Sequence, residues 1–262
     1  MLPEDVRARF DALVASGDLP LPVLPEAAAQ VLAMVDRPTC DAWRLAELVR
    51  RDPALTAHVM QIAASPLYAG AARVTSLQQA IGRLGFSTIA QIALAAAAKA
   101  RVFAVKGFEV ELRAAFVHAF ATALFAQEIA RHRRSTVDVA FLAGLFHDFG
   151  APVLLQALVD LHAGRPVDRD AVLAAIDESH AAVGATLVTR WAMPPKVAEA
   201  VRNHHAPAGC ELAAVVALAD HFAHARGDVP VELATRLNLY PEDLETIGAR
   251  TAEVLETARV IA

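Results

Sequence analysis

Helical periodicity, with no alternating strand pattern of useful length, is the feature of this sequence that most constrains its fold. Alanine is abundant throughout the 262 residues, and only 6% of the residues are aromatic. Alanine has the highest helix propensity, whereas sheets favour β-branched and aromatic side chains. Apolar residues recur at helical spacing after cap signals, as Leu55, Val59 and Ile62 do after Asp52 and Pro53. The sequence therefore predicts an all-α protein.

Proline, glycine and capping residues divide the chain into a series of predicted helices. In chain order these helices lie between Pro25 and Pro38, Pro53 and Ser65, Thr75 and Gly85, Ser87 and Lys99, Glu111 and Arg131, Phe141 and Phe146, Asp170 and Ser179, His180 and Trp191, Lys196 and His204, Glu211 and Asp220, and Pro241 and Ala262. Thr75 is the predicted cap of the third. A short break around Gly107 predicts a boundary between two lobes.

Charge and cysteine content exclude several classes of protein. The formal net charge of −5 argues against a general nucleic-acid binder, which normally has a clear basic excess. Cys40 and Cys210 cannot form a disulfide framework, and two separated thiols suit a reducing compartment. The N-terminus has no signal-peptide pattern, and the longest apolar runs, 92–98 and 212–219, are too short to span a bilayer. We expect a cytoplasmic protein with no nucleic-acid or membrane partner.

Histidines and aspartates recur in the second half of the chain, each inside or beside a predicted helix. They are His118, His147, Asp148, His180, His204, His205 and Asp220. Neutral imidazoles and a bridging carboxylate are the ligands that a divalent transition-metal ion, or two ions sharing an aspartate, requires. If a compact helical fold turns these residues toward one point, they form a metal site. No function is assigned to the other histidines: His58, His132, His162, His221 and His224.

The order of these residues resembles the HD superfamily of metal phosphohydrolases. In that order, a mid-helix histidine precedes a His-Asp pair, a histidine opening a helix, a His-His pair and a late aspartate. The first half of the chain is similar to the HDOD family, the HD-related output domain of bacterial signalling proteins. The motifs that support this similarity are Leu21-Pro22-Val23-Leu24-Pro25, Arg51-Asp52-Pro53-Ala54-Leu55-Thr56, Ser65-Pro66-Leu67-Tyr68, Val74-Thr75-Ser76-Leu77-Gln78-Gln79-Ala80-Ile81 with Leu84-Gly85, and, in the second half, Val183-Gly184-Ala185.

The resemblance implies an architecture and a biological role. An N-terminal helical lobe, 1–108, is expected to pack against an HD-like lobe, 109–226, with a helical tail, 227–262, on the HD-like lobe. HDOD domains are usually regarded as output or interaction modules of bacterial signal transduction, often attached to sensor, receiver or cyclic-dinucleotide domains. Because this chain has no such attachment, we expect it to act in trans on a signalling protein, with a nucleotide as a further candidate ligand.

The resemblance also implies roles for the histidines and aspartates. The HD pattern makes metal ligands of His118, His147, Asp148 and Asp220, with Asp148 placed to bridge two ions. In the branch that hydrolyses cyclic dinucleotides, a second ion's shell is completed by His180, His204 and His205. The expected cofactors are one or two divalent ions of iron, manganese, nickel or zinc. Such ions lower the pKa of a bound water and polarise a phosphoryl oxygen.

Three departures from the active branch count against hydrolysis. Ala151 replaces the lysine of His-Asp-x-Gly-Lys, Ala114 replaces an extra glutamate one turn before His118, and no Gly-Tyr-Pro element follows His205. Three hypotheses stay open: a non-enzymatic domain that binds a signalling protein, a metal-dependent phosphohydrolase acting on a nucleotide or cyclic dinucleotide, and a sensor that binds a nucleotide without cleaving it. The same side chains could equally form a hydrogen-bonded polar network without an ion.

Overall fold

The computed structural model of the chain describes residues 2–24, 46–47, 49–70, 72–165 and 168–261. All regular secondary structure in these residues is helical, which confirms the predicted all-α class. The α-helices are α1 (Glu4–Ser16), α2 (Pro53–Ala63), α3 (Leu77–Val102), α4 (Glu109–His132), α5 (Val137–Phe146), α6 (Gly150–His162), α7 (Arg169–Asp177), α8 (His180–Arg190), α9 (Pro195–Asn203), α10 (Glu211–Ala223), α11 (Val231–Arg236), α12 (Pro241–Ala249) and α13 (Thr251–Ile261).

Local sequence signals explain how the first helices after the N-terminus begin and bend. The side chain of Asp52 accepts hydrogen bonds from two backbone N–H groups in the first turn of α2. Ser76, and not the predicted Thr75, caps α3, because the backbone N–H and hydroxyl of Thr75 bond the side chain of Gln79 instead. Gly85 has a φ of 76° and a ψ of 167°, outside helical geometry, so α3 consists of two helical segments that meet at this kink, as predicted on either side of Gly85.

The largest differences from the sequence-based prediction lie at the two ends of the chain and in α6, which was not predicted. Helix α1 was not predicted, because it buries only Val6 and Phe10 and so has a weak apolar pattern. The single helix predicted from Pro241 to Ala262 is wrong, since the chain leaves helical geometry at Arg250, between α12 and α13. The helix predicted between residues 25 and 38 lies outside the described residues.

Helix α4 lies at the centre of the second lobe and contacts α5, α10, α12 and α13. Gly144 allows α5 to pack closely on it, because a Cβ atom at Gly144 would lie 2.8 Å from the Cα of Ala123. The helix that contains His118 is therefore in direct contact with the helix that ends at His147.

Polar contacts connect the two lobes inside the protein. The Gln127 side-chain amide donates to Oε1 of Gln91 at 2.9 Å, and the Gln91 amide donates to Oδ1 of Asp138 at 3.0 Å, which joins α3 to α4 and α5. Helix α13 contacts α4 and α2, and its buried Thr257 hydroxyl donates to Ser65 at 3.0 Å. The predicted packing of an N-terminal helical lobe on a second helical lobe is confirmed. The boundaries at residues 108 and 226 stay predictions.

Two stretches of the described chain are long and apolar enough to cross a membrane, judged by length and composition only: Leu77–Ala100 and Val137–His162. The expectation that no segment is long enough was wrong, because it counted uninterrupted apolar runs and a helix tolerates scattered polar residues. In the folded chain, 56% and 72% of these apolar windows are buried inside the protein. The cytoplasmic location stays a prediction.

Candidate metal centre

Asp148 lies at the centre of a cluster of four histidines. Its Oδ2 atom lies 3.1 Å from Nε2 of His147 and 3.9 Å from Nε2 of His118. Its Oδ1 atom lies 3.4 Å from Nε2 of His180 and 3.4 Å from Nε2 of His204. Each oxygen of this carboxylate therefore faces a different pair of imidazoles.

The structure brings all seven sequence-predicted residues together around this carboxylate. Apart from Asp148 itself, they form two groups, in each of which one ligand atom per residue lies within 4.8 Å of the others. The first group is His118, His147 and Asp220. The second group is His180, His204 and His205. The first group comes from α4, the turn after α5, and α10, whereas the second comes from the start of α8 and the turn after α9.

Close backbone packing positions His180 against Asp148. Asp148 lies in the turn between α5 and α6, and Gly150 is the first residue of α6. A Cβ atom at Gly150 would lie 2.0 Å from the carbonyl oxygen of His180 and 2.6 Å from the backbone nitrogen of Gly184. Only glycine allows the start of α8 to approach this turn so closely.

Backbone carbonyls determine which ring nitrogen is protonated in three of the histidines. The Nδ1 atoms of His147, His180 and His204 lie 2.8, 3.1 and 2.7 Å, respectively, from the carbonyl oxygen three residues earlier in the chain. Because a carbonyl oxygen only accepts, each Nδ1 is the donor. In the neutral ring, Nε2 then presents its lone pair toward Asp148.

The buried ring nitrogens at the centre lack hydrogen-bond partners. The Nε2 atoms of His118, His147 and His204 have no partner with acceptable geometry, although oxygens of Asp220 or Asp148 lie 2.9, 3.1 and 3.4 Å away. A lone pair facing a carboxylate oxygen is unfavourable unless a proton or a cation lies between the two atoms. Imidazole and carboxylate together suit iron, manganese, nickel and zinc ions. The residues therefore fit a divalent transition-metal ion.

The surrounding imidazoles favour the ionised form of both carboxylates. Burial acts to raise the pKa of Asp148, but the charge of His147 and contacts with the neighbouring imidazoles hold that pKa well below its usual range. Burial likewise acts against ionisation of Asp220, but the imidazoles of His118, His147 and His224 together outweigh it and lower the pKa of Asp220 to about 2. Burial alone would lower the pKa of His180, yet the Asp148 carboxylate raises it.

Two further histidines lie at the rim of the cluster. The exposed His205 places Nε2 at 2.9 Å from Nε2 of His180. His224, to which the sequence analysis assigned no role, places Nδ1 at 3.2 Å from Oδ1 of Asp220 and at 3.0 Å from the carbonyl oxygen of Asp220. Its ring centroid lies 4.2 Å from that of His118. The spacing of four residues between Asp220 and His224 is the sequence signal that could have identified it.

The positions that depart from the active HD pattern lack charge in the structure as well. Ala114 is exposed, one turn before His118, and Ala151 is partly buried against the hydrophobic core. Among the described residues, every ion-pair partner of Asp148 and Asp220 is a histidine. The centre therefore combines seven candidate metal ligands with no lysine or arginine of the described residues paired to its carboxylates.

Together, the fold and the histidine–aspartate cluster define an all-helical domain of the HD-like class. The sequence model of the HDOD domain matches residues 21–207, which is more than half of the chain. The chain belongs to the HDOD family, a group of signalling domains in the HD superfamily.

Known proteins with similar folds or sequences agree with this assignment. A candidate metal-dependent phosphohydrolase from Shewanella amazonensis SB2B has a TM-score of 0.76 at 19% identity, over 98% of this chain and 97% of that one. An HDOD domain protein with unknown function from Geobacter sulfurreducens has a TM-score of 0.65 at 22% identity, over 96% and 99% of the two chains. At these identities the structures show a shared fold.

A relative of known sequence is an uncharacterized protein from Treponema pallidum (strain Nichols), 24% identical over 197 residues. The match covers 71% of this chain but 37% of the relative, so the chain spans little more than a third of that protein's length.

Proposed function

We propose that this chain is a regulatory domain of bacterial signal transduction whose histidine–aspartate centre binds divalent transition-metal ions and which acts by binding a partner without turning over a substrate. One observation supports the metal centre above all others. The two oxygens of Asp148 face separate pairs of imidazoles, and the Nε2 lone pairs of His147, His180 and His204 point toward them. A carboxylate shared in this way suits two ions that it bridges.

Each group of ligands has a role in this proposal. His118, His147 and Asp220 hold one ion, the three imidazoles of His180, His204 and His205 hold the second, and Asp148 is shared between them. When bound, such ions lower the pKa of a coordinated water and polarise a phosphoryl oxygen. The protein's own residues provide fixed ring orientations, because backbone carbonyls accept the Nδ1 protons of His147, His180 and His204.

We propose an absence of turnover because the centre lacks, among the described residues, the cationic side chains that would hold a phosphate. Phosphate recognition relies on cationic side chains that make charge-assisted hydrogen bonds. Position 151, which follows the His-Asp-x-Gly segment, is an alanine, and in the described residues only histidines pair with Asp148 and Asp220. We propose that the partner is a signalling protein bound in trans, with a nucleotide held without cleavage as the other candidate ligand.

A metal-dependent phosphohydrolase acting on a nucleotide or cyclic dinucleotide is the second candidate function. The observation that favours it is the complete set of ligands, including the second group of three histidines, which a purely structural core would not need. The Shewanella protein of similar fold is named as a candidate of that class.

Elemental analysis combined with turnover assays separates these functions. We expect purified wild-type protein to contain at least one transition-metal ion per chain, Asp148→Asn to lose it, and Asp160→Asn, which changes a carboxylate on α6 outside the centre, to keep it. A panel of phosphodiesters and cyclic dinucleotides should show no turnover in wild-type protein above the Asp148→Asn background. Turnover that disappears in Asp148→Asn would establish the phosphohydrolase. If no transition metal co-purifies or can be loaded, the centre is a polar network and the metal proposal is wrong.

A further inference from the structure

His224 touches the first group of ligands without belonging to it. Its Nδ1 lies 3.0 Å from the carbonyl oxygen of Asp220, and because that oxygen can only accept, Nδ1 is protonated and donates. The same nitrogen lies 3.2 Å from Oδ1 of Asp220. The N–H group of His224 thus bonds the backbone of one proposed ligand and lies beside the side-chain carboxylate of the same residue.

The oxygen that His224 approaches is the one that faces the centre. Oδ1 of Asp220 lies 2.9 Å from Nε2 of His118 and 3.8 Å from Nε2 of His147. The carboxyl group of an aspartate rotates easily about its last bond, so a fixed donor at Oδ1 limits that rotation. The ring of His224 also packs on His118, with 4.2 Å between the centroids and 51° between the planes, which restricts the imidazole of His118.

We propose that His224 is a positioning residue of the metal centre: its Nδ1–H orients the Asp220 carboxylate and its ring orients His118 for binding an ion. This inference rests on the proposed metal-binding function. Loss of a side chain that orients a metal ligand typically lowers the metal affinity by about 10- to 100-fold. His224 has 43% of its side chain exposed, so a substitution there leaves the hydrophobic core intact.

Among the described residues, no side chain outside the centre makes such a contact with the second group. His180 and His204 are oriented by backbone carbonyls, at 3.1 and 2.7 Å from their Nδ1 atoms. A substitution of His224 should therefore weaken the binding of one ion and leave the binding of the other unchanged. This selectivity distinguishes a positioning role from a general loss of stability.

The test is a titration of metal-free full-length protein with Zn²⁺ against a competing chelator. We expect His224→Leu to weaken one of two Zn²⁺ ions by about 10- to 100-fold, with an unchanged melting temperature of the metal-free protein. His224→Asn should recover most of the affinity, because its amide nitrogen can donate from about the position of Nδ1. His132→Leu is the matched control: His132 contacts Asp243 at 3.1 Å and lies about 21 Å further along α4 than His118, so Zn²⁺ binding should not change.

The outcomes distinguish this inference from the proposed function. If wild-type protein binds neither Zn²⁺ nor, by elemental analysis, any other transition metal, both are wrong. If wild-type protein binds Zn²⁺ and His224→Leu binds it equally well, the metal centre stands and only the role of His224 is overturned. A His224→Asn variant as weak as His224→Leu would overturn the role of the Nδ1 donor, since an amide N–H in its place would then not restore binding.

Discussion

The two ligand groups around Asp148 differ in charge, and this difference predicts their order of binding. The first group includes a carboxylate of its own, Asp220, whereas the second consists of imidazoles only. An ion in the first group would therefore be neutralised by Asp220 and a share of Asp148, but an ion in the second group only by that share. We expect the first group to bind its ion more tightly.

The groups also differ in exposure. In the first, side-chain exposure is 17% for His118, 1% for His147 and 24% for Asp220, so no member is strongly exposed. The second group combines two buried histidines with His205, which is exposed. A ligand in contact with water exchanges more readily. We therefore expect the occupancy of the second site, more than that of the first, to depend on the metal concentration.

Single substitutions in each group should separate the two ions most clearly. Asp220→Asn is expected to lose the first ion and keep the second, and His204→Leu to lose the second and keep the first. Each loss should exceed about 100-fold in affinity, because a direct ligand is worth more than an outer partner. Stoichiometry measured by elemental analysis after dialysis against a fixed Zn²⁺ concentration checks both variants. If each variant loses both ions equally, the two groups form one site.

A substitution in the backbone contact should affect the second group alone. Gly150→Ala places a methyl group 2.0 Å from the carbonyl oxygen of His180, so the start of α8 must move away from Asp148. We expect the second ion to be lost and the protein to be destabilised by about 1–3 kcal/mol, as for overpacked cores. Gly82→Ala is the control, because a Cβ atom there meets nothing within 4 Å on α3.

Chemical denaturation of the two Gly→Ala variants measures this difference. If the Gly150→Ala variant binds two ions and is as stable as the wild type, the close approach of α8 to Gly150 is not required for binding the second ion.

Acid should remove a smaller contribution to the unfolding free energy, which comes from Asp220 in the first group. The pKa of Asp220 falls from 3.8 to about 2 in the folded protein. A carboxyl group whose pKa is lowered by folding stabilises the protein above its unfolded pKa, and the stabilisation is lost as the pH falls toward the folded pKa. Metal-free protein should therefore lose about 2 kcal/mol of unfolding free energy from this group between pH 5 and about pH 2.

Denaturant titrations of metal-free wild-type protein and Asp220→Asn over this pH range measure that contribution. The variant should lose less stability than the wild type. Equal slopes in the two proteins would mean that the imidazoles of the first group do not stabilise the Asp220 carboxylate.

The sequence predicted the ligands better than the contacts that arrange them. The order of histidines and aspartates along the chain, which resembles the HD pattern, identified all seven clustered residues, although only three of them lie within helices and four lie in turns. His224 was missed because it lies outside the HD pattern, and its spacing of four residues from Asp220 was not used as a signal. The close approach at Gly150 was missed because helical periodicity shows which face is buried and not which backbone lies against it.

The errors in the predicted fold have the same cause. Cap signals located the start of α2 well, since a cap is a local interaction between a side chain and the next turn. The turn at Arg250 and the weakly amphipathic α1 depend on tertiary packing, which periodicity does not reveal.

Anomalous diffraction is the most direct test of the central claim that Asp148 is shared by two metal sites. Crystals grown from protein purified without chelators would be measured at the absorption edge of the metal found by elemental analysis. We expect an anomalous peak on each side of the Asp148 carboxylate, about 2.0–2.1 Å from histidine Nε2 atoms of the adjacent group. The absence of any peak, with those nitrogens hydrogen-bonded to Asp148 and Asp220 instead, would contradict the claim.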